Sequence, residues 1–160
     1  MDEGKFVGVQ PATGTEKDNL NLQENNLKKE VKMEKTKVLF VCYANIDRSP
    51  TAEQMYSNHP DLETKSAGIA SFATVPVSAE LVQWADVILT MDEEQKQFIK
   101  KMFPDIISNK TIDSLGIINI YTRMHPKLQD MIRTLVDEWL RENLKISPLR
   151  GGGKSKTLVK

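Results

Sequence analysis

The segment from Lys37 to Tyr56 constrains the fold of this chain more than any other part of the sequence. It opens with β-branched and aromatic residues, which are typical of a strand buried on both faces of a sheet. Cys42 ends that run, and five residues separate it from Arg48. Ser49 and Pro50 predict a helix start, with the serine as N-cap and the proline at the first helical position. A cysteine and an arginine are therefore predicted to share one tight loop between a strand and a helix.

This loop has the features of an anion-binding site. Backbone amides at a helix N-terminus point towards a common centre, and the helix dipole favours negative charge there. The same field stabilises a thiolate, so we expect Cys42 to be ionised at neutral pH. The planar guanidinium of Arg48 matches two oxygens of a phosphate. A nucleophilic sulfur beneath a phosphate cradle predicts phosphoryl transfer through a phosphocysteine.

The loop resembles the signature of the low-molecular-weight protein tyrosine phosphatases, which is a strand followed by C-x-x-N-x-x-R-S-P-T-A-E. The matching residues here are Cys42, Asn45, Arg48, Ser49, Pro50, Thr51, Ala52 and Glu53. The resemblance covers residues 37–144. It implies a phosphotyrosine or similar phosphomonoester hydrolase without a metal or other cofactor, and a four-stranded parallel sheet of order 2-1-3-4.

The resemblance also implies roles for the loop residues. Cys42 is expected to attack the phosphorus, and Arg48 to hold the phosphate oxygens and the charge that builds on them. The phosphate is expected to lie against Tyr43, Ala44, Asn45, Ile46, Asp47, Arg48 and Ser49. Ser49 is expected to bond the thiolate, and Asn45 to adopt a left-handed backbone conformation. Asp47 departs from the many relatives that carry a second cysteine there, and it excludes a protective disulfide.

The loop that carries the general acid in the family departs further from the pattern. Shorter relatives read I-P-D-x-Y-x-x-M-D-P-E-L, whereas residues 117–128 have Asn119 and His125 in place of the two aspartates. Asparagine is not an acid, but an imidazole can carry a proton near neutral pH. Three alternatives stay open. His125 donates the proton, Asp113 reaches the site, or the acid is absent and the chain favours good leaving groups such as aryl phosphates or only binds phosphate.

Aromatic side chains near the loop are candidates for the walls of the substrate pocket. Tyr121 holds the aromatic position of the acid loop, so we predict that it lines the pocket together with Asn119. Tyr43 is the second candidate. His59, in the turn before the second strand, is expected at the surface.

The rest of the chain alternates strands with helices, which predicts an α/β fold of three layers with the sheet in the middle. The predicted strands are Lys37–Cys42, Leu62–Ser66, Asp86–Met91 and Thr111–Leu115. The predicted helices are Pro50–Asn58, Val77–Trp84 with Ser78 as cap, a helix capped by Asp92 that ends at Phe103, and an apolar stripe from Leu128 to Leu144. Such sheets bind ligands beyond the carboxyl ends of their strands, which is where Cys42 lies.

The composition suits one domain with flanking segments. Residues 1–36 are predicted to be a disordered polar head, 37–145 a phosphatase-like domain, and 146–160 a flexible basic tail. The net charge of zero gives no indication of nucleic acid or a membrane surface, and no apolar run reaches the ~20 residues of a membrane span. The single cysteine excludes an internal disulfide and is typical of a reducing compartment, so we expect a cytoplasmic protein.

Two rival functions stay open beside the phosphatase hypothesis, whose expected partner is a phosphorylated protein or a small phosphomonoester. The first rival is a catalytically impaired module that binds phosphate or phosphoproteins. The second is an arsenate reductase, which shares the fold. The thiol-cascade type needs further cysteines, so only a version that uses an external thiol such as glutathione fits one cysteine.

Overall fold

The computed structural model describes residues 34–147, and the statements below refer to them. The predicted head, 1–36, and the predicted tail, 146–160, lie almost entirely outside this range and stay predictions. None of the helices in the described range combines the length and the apolar character that a membrane crossing requires.

The described residues form an α/β fold with a parallel sheet. Its elements are β1 (Thr36–Cys42), α1 (Arg48–Tyr56), β2 (Leu62–Gly68), α2 (Ala79–Trp84), β3 (Val87–Thr90), α3 (Glu93–Met102), α4 (Pro104–Ile107), β4 (Thr111–Ser114) and α5 (Pro126–Leu144). The sheet runs in the order β2-β1-β3-β4 with parallel pairing throughout. The predicted fold class and the strand order 2-1-3-4 are thus confirmed.

The strand β1 lies in the middle of the fold because its residues alternate between two apolar clusters. Val38 and Phe40 face the cluster that includes α1 and α5, whereas Leu39 and Val41 face the cluster that includes α2 and α3. The predicted apolar stripe of α5 is confirmed, since its buried residues include Leu128, Ile132, Val136, Trp139 and Leu140. These two clusters hold β1 rigidly and so fix where Cys42 emerges at its end.

The strand β2 is longer than predicted. It continues two residues past Ser66, because Ala67 and Gly68 pair with Val41 and Cys42 of β1. A Cβ atom at Gly68 would lie 2.5 Å from the carbonyl oxygen of Tyr43. Gly68, which lies beyond the predicted end of this strand, is therefore the position where the loop after β1 packs against the sheet.

One predicted N-cap is wrong. The helix α1 begins at Arg48 with Asp47 as its N-cap, so Ser49 is not the cap. The hydroxyl of Ser49 turns instead towards the end of β1, as described below. The end of α3 agrees with the prediction, and Pro104, which follows the predicted end at Phe103, begins the short helix α4.

His59 is also misplaced by the sequence analysis, since its side chain is 2% exposed and not at the surface. Its Nδ1 accepts a hydrogen bond from the backbone of Asp61, and its Nε2 lies 3.0 Å from the carbonyl oxygen of Ser147. The ring also stacks on Tyr56. A contact with a residue so distant in sequence could not be predicted from a turn composition.

Candidate active site

A cavity lies at the carboxyl end of β1, where an open parallel sheet is expected to bind its ligand. Its lining is Cys42, Tyr43, Ala44, Ile46, Asp47, Arg48 and Asn119. All of these residues except Asn119 come from the end of β1, the loop that follows it and the first residue of α1. The structure therefore brings the predicted nucleophile and the predicted phosphate-binding arginine into one cavity, with Asn45 and Ser49 behind its wall.

The sulfur of Cys42 is surrounded by hydrogen-bond donors. The backbone nitrogen of Asn45 donates to Sγ at 3.2 Å, and the hydroxyl oxygen of Ser49 lies 3.0 Å from Sγ. Ser49 has a second acceptor in the carbonyl oxygen of Ala67, at 3.2 Å. Because a hydroxyl carries one proton, Ser49 can donate it to a thiolate, or to Ala67 when the sulfur is protonated. The site thus accommodates both forms of the nucleophile.

Asn45 holds the shape of the loop. Its φ of 57° is left-handed, as predicted. The side-chain nitrogen donates to Ser49 Oγ at 2.9 Å and to Ser66 Oγ at 3.0 Å, and the side-chain oxygen accepts from the backbone of Val75 at 3.1 Å. These bonds tie the loop to α1, to β2 and to the segment after β2, so the amides of the loop are preorganised.

Arg48 is 4% exposed and is held from one side. Its Nη1 donates to Asp92 Oδ2 at 3.2 Å and to the carbonyl oxygen of Ile117 at 2.9 Å. Within the described residues, Nε and Nη2 have no such partner, so this edge of the guanidinium is available for two phosphate oxygens. The sequence predicted Asp92 only as the cap of α3 and missed its contact with Arg48.

The two candidate acids, His125 and Asp113, lie outside the lining of the cavity that contains Cys42. His125 is the N-cap of α5, and its Nδ1 accepts a hydrogen bond from the backbone of Lys127 at 3.0 Å. The carboxylate of Asp113 accepts a hydrogen bond from Trp139 Nε1 at 2.8 Å. Neither residue is part of the cavity lining, which contains Asn119 instead.

The aromatic residues divide between the cavity and the core. Tyr43 lines the cavity and makes an edge-to-face contact with Phe72, with ring centroids 5.8 Å apart. Tyr121 instead packs against the core, and its ring centroid lies 4.7 Å from that of His125. The sequence analysis missed Phe72, although an aromatic residue in the segment after β2 must lie close to the end of its neighbour β1.

Comparisons with known proteins agree with this geometry. The chain is 31% identical over 91 residues to the low molecular weight protein-tyrosine-phosphatase Ptp of Acinetobacter johnsonii. This match covers 42% of the chain and 64% of the relative, so the chain spans a little less than two thirds of that protein. No protein-family model matches the chain.

Solved structures share the fold. The low molecular weight protein tyrosine phosphatase SP-PTP from Streptococcus pyogenes has a TM-score of 0.56 at 19% identity, covering 68% of this chain and 93% of its own. The YwlE arginine phosphatase from Geobacillus stearothermophilus has a TM-score of 0.51 at 21% identity, covering 69% of this chain and 96% of its own. The sequence match to Ptp and the shared fold together confirm the resemblance predicted from the signature loop.

Proposed function

We propose that this chain, which is similar to the low-molecular-weight protein tyrosine phosphatases in sequence and fold, hydrolyses phosphomonoesters through Cys42. One observation carries the proposal. The sulfur of Cys42 accepts the backbone N–H of Asn45 and opens into the same cavity as Arg48. A nucleophile and an anion-binding guanidinium at one cavity are what phosphoryl transfer to sulfur requires.

The reaction has two steps. The thiolate of Cys42 attacks the phosphorus in line, so the S–P bond forms while the bond to the leaving oxygen breaks. The Nε–Nη2 edge of Arg48 and the loop amides hold the equatorial oxygens and stabilise their charge. Water then attacks the phosphocysteine, which releases inorganic phosphate and restores the thiolate. The hydroxyl of Ser49, 3.0 Å from Sγ, donates to the sulfur when it leaves as an anion.

The identity of the leaving group follows from the missing acid. A positioned acid contributes about 10²–10⁴ to the rate of such a step, but Asn119 lines the cavity where relatives carry an aspartate. His125 is poorly suited to replace it, because an imidazolium would lose the Nδ1 lone pair that caps α5. We therefore propose that the chain cleaves esters whose leaving oxygen departs without protonation, which are aryl phosphates.

The cavity walls favour the same class. Tyr43 and Ile46 present apolar surface beside the sulfur, and a phenyl ring can pack on both. An aromatic leaving group makes use of both apolar walls, so phosphotyrosine is the substrate that we propose.

A second candidate is a module that binds phosphate without turning it over. The presence of Asn119 in the cavity favours this candidate, because a cradle without an acid still binds the anion. The two candidates share the phosphate cradle and differ only in chemistry, so one assay separates them.

The deciding assay uses p-nitrophenyl phosphate with the full chain and its Cys42→Ser variant. We expect the unaltered chain to release p-nitrophenol and to carry a phosphate adduct on Cys42 after rapid acid quenching, and the variant to do neither. If turnover is absent but inorganic phosphate protects Cys42 from iodoacetamide, the binding module is correct. If phosphate gives no protection either, both candidates fail.

A further inference from the structure

The exposed apolar side chains of this chain are concentrated around the mouth of the cavity. Among the described residues, seven large hydrophobic side chains are exposed. Six of them, which we call the apolar rim, are Tyr43, Ile46, Phe72, Val75, Ile118 and Ile120. The seventh, Met102, ends α3 and is not part of the cavity lining. Single exposed hydrophobic residues are ordinary, whereas a cluster of them at one place marks an interaction site.

The apolar rim comes from three loops that meet at the cavity. The segment after β2 is fixed to the cradle by two backbone bonds, from Ala70 to the carbonyl oxygen of Tyr43 at 2.9 Å and from Thr74 to that of Ala44 at 3.1 Å. Phe72 lies between these two bonds and touches the ring of Tyr43. The rim therefore borders the cavity closely on this side and is attached to the cradle.

The third loop contributes two isoleucines whose side chains are more than half exposed. Ile118 is 54% exposed and Ile120 is 65% exposed, and they flank Asn119, which lines the cavity. The backbone of this segment is anchored at both sides, by Arg48 Nη1 to the carbonyl oxygen of Ile117 and by Met124 N to Thr51 Oγ1. Both isoleucines are thus held at the mouth, where the structure gives them no apolar cover.

We infer that the apolar rim docks a phosphorylated polypeptide segment whose side chains next to the phosphorylated residue are apolar. The inference rests on the proposed function, because a phosphate held beside Cys42 requires that its bearer lie on the rim. A small polar phosphomonoester does not reach the outer isoleucines, and charged flanking residues find no partner on Ile46, Phe72 or Ile120. When leucine, isoleucine or phenylalanine side chains flank the phosphorylated residue, binding removes from water both their own apolar surface and that of the rim.

The test compares two phosphotyrosine peptides of equal length, one with apolar and one with charged flanking residues, with p-nitrophenyl phosphate as the small substrate. The double variant Ile118→Ser, Ile120→Ser removes the outer half of the rim. Met102→Ser is the matched control, because Met102 is as exposed as Ile118, at 54% each. We expect kcat/KM for the apolar peptide to fall about tenfold in the double variant, since central apolar contacts dominate such interfaces. We expect a much smaller fall for the charged peptide and for p-nitrophenyl phosphate, and none for any substrate in Met102→Ser.

Three outcomes would overturn the inference. The first is equal cleavage of both peptides by the unaltered chain, and the second is equal loss on all three substrates in the double variant. The third is concentration-dependent dimerisation, measured by analytical ultracentrifugation, that disappears in the double variant but not in Met102→Ser, because a second copy would then cover the rim. Preferential capture by vesicles that carry a phosphorylated lipid would count against a polypeptide in the same way.

The inference can fail separately from the proposed function. Binding of the two peptides to Cys42→Ser, measured by calorimetry, needs no turnover. If p-nitrophenyl phosphate is not hydrolysed but Cys42→Ser binds the apolar peptide about tenfold more tightly than the charged one, docking on the apolar rim is supported and the proposed hydrolysis is refuted. If p-nitrophenyl phosphate is hydrolysed and the two peptides bind Cys42→Ser equally, the proposed hydrolysis is supported and docking on the apolar rim is refuted.

Discussion

The carboxylate of Asp47 accepts a hydrogen bond from the backbone nitrogen of Arg123 at 2.9 Å, and this bond joins the phosphate cradle to the loop that carries the acid in related sequences. A second bond runs in parallel, from Met124 N to Thr51 Oγ1 at 2.9 Å. Many relatives are expected to carry a second cysteine where Asp47 stands. Here Asp47 holds the loop that contains Arg123 close to the cradle. As part of the cavity lining, its carboxylate also adds negative charge beside the phosphate site.

Variants of Asp47 should separate these two effects. Asp47→Asn keeps an acceptor for Arg123 N and removes the charge, so we expect inorganic phosphate to inhibit this variant at lower concentration than the unaltered chain. Asp47→Ala removes the charge and the acceptor. Since the bond kept by Asp47→Asn is neutral and such a bond is worth about 0.5–1.5 kcal/mol, we expect kcat/KM of Asp47→Ala on p-nitrophenyl phosphate to lie about two- to tenfold below that of Asp47→Asn.

The same pair of variants tests whether Asp47 itself supplies the proton. If both variants lose activity equally, and lose more on phenyl phosphate than on p-nitrophenyl phosphate, Asp47 is the acid and not a clamp. Steady-state kinetics with the two esters and with phosphate as inhibitor give all of these values.

The cradle could be predicted from the sequence because it is local. The spacing from Cys42 to Arg48, the asparagine between them and the apolar strand before them are all within one segment of the chain. Local backbone preferences and the helix N-terminus then determine where the amides point. For the same reason, the alternation of strands and helices was enough to predict the layers and the parallel sheet.

The parts that could not be predicted depend on contacts between distant segments. Phe72 reaches Tyr43, and Asp92 reaches Arg48, only because parallel strands align the loops at their carboxyl ends. The hydroxyl of Ser49, a residue that lies inside α1 and does not cap it, contacts Ala67 and Cys42, which strand pairing brings near. Propensity rules describe a residue's neighbours in sequence, and these partners are neighbours only in the fold.

His125 is expected to act on stability and not on proton transfer. Its Nδ1 caps α5, and the loss of an N-cap costs about 0.5–2 kcal/mol. We therefore expect His125→Ala to lower the free energy of unfolding by that amount, and His125→Asp, which restores a good cap, to recover it. Urea denaturation of the three proteins measures this difference.

Kinetics on two leaving groups test the alternative role of His125. A capping residue should change turnover of phenyl phosphate and p-nitrophenyl phosphate by the same factor. A proton donor should matter far more for phenyl phosphate, whose leaving oxygen is the stronger base. A selective loss on phenyl phosphate in His125→Ala would restore His125 as the acid.

Tyr56 should make the fold sensitive to alkali. Burial raises the pKa of its hydroxyl far above the usual range, and the charge and hydrogen bond of Asp137, at 2.7 Å, raise it further, whereas Arg133 lowers it. The folded chain therefore keeps this proton at a pH where the unfolded chain, with an ordinary tyrosine pKa of about 10, has released it. The contribution to stability is complete below about pH 10 and declines above it, by about 1.4 kcal/mol per pH unit.

The control is Tyr56→Phe, which lacks the titrating proton but keeps the ring. At pH 8 we expect the variant to be less stable by about 1.5–3 kcal/mol, the value of a hydrogen bond to a charged group. Above about pH 10 this gap should close, because only the unaltered chain loses the contribution. Urea denaturation at several pH values measures the gap, and a gap that stays constant up to pH 11 would refute the account.

Asn119 is the position at which the proposed chemistry can be restored. It lines the cavity, and an aspartate there would supply the acid that the family pattern expects. We expect Asn119→Asp to raise turnover of phenyl phosphate by at least tenfold, since a positioned acid contributes about 10²–10⁴. Turnover of p-nitrophenyl phosphate should change little, because its leaving group needs no proton.

Asn119→Ala is the control, and it should leave the ratio of the two rates near that of the unaltered chain. A pH profile of Asn119→Asp should also gain an alkaline limb on phenyl phosphate, as the new carboxyl must be protonated to act. If Asn119→Asp and Asn119→Ala behave alike on both esters, the carboxyl does not reach the leaving oxygen, and the absence of an acid at this position does not limit the reaction.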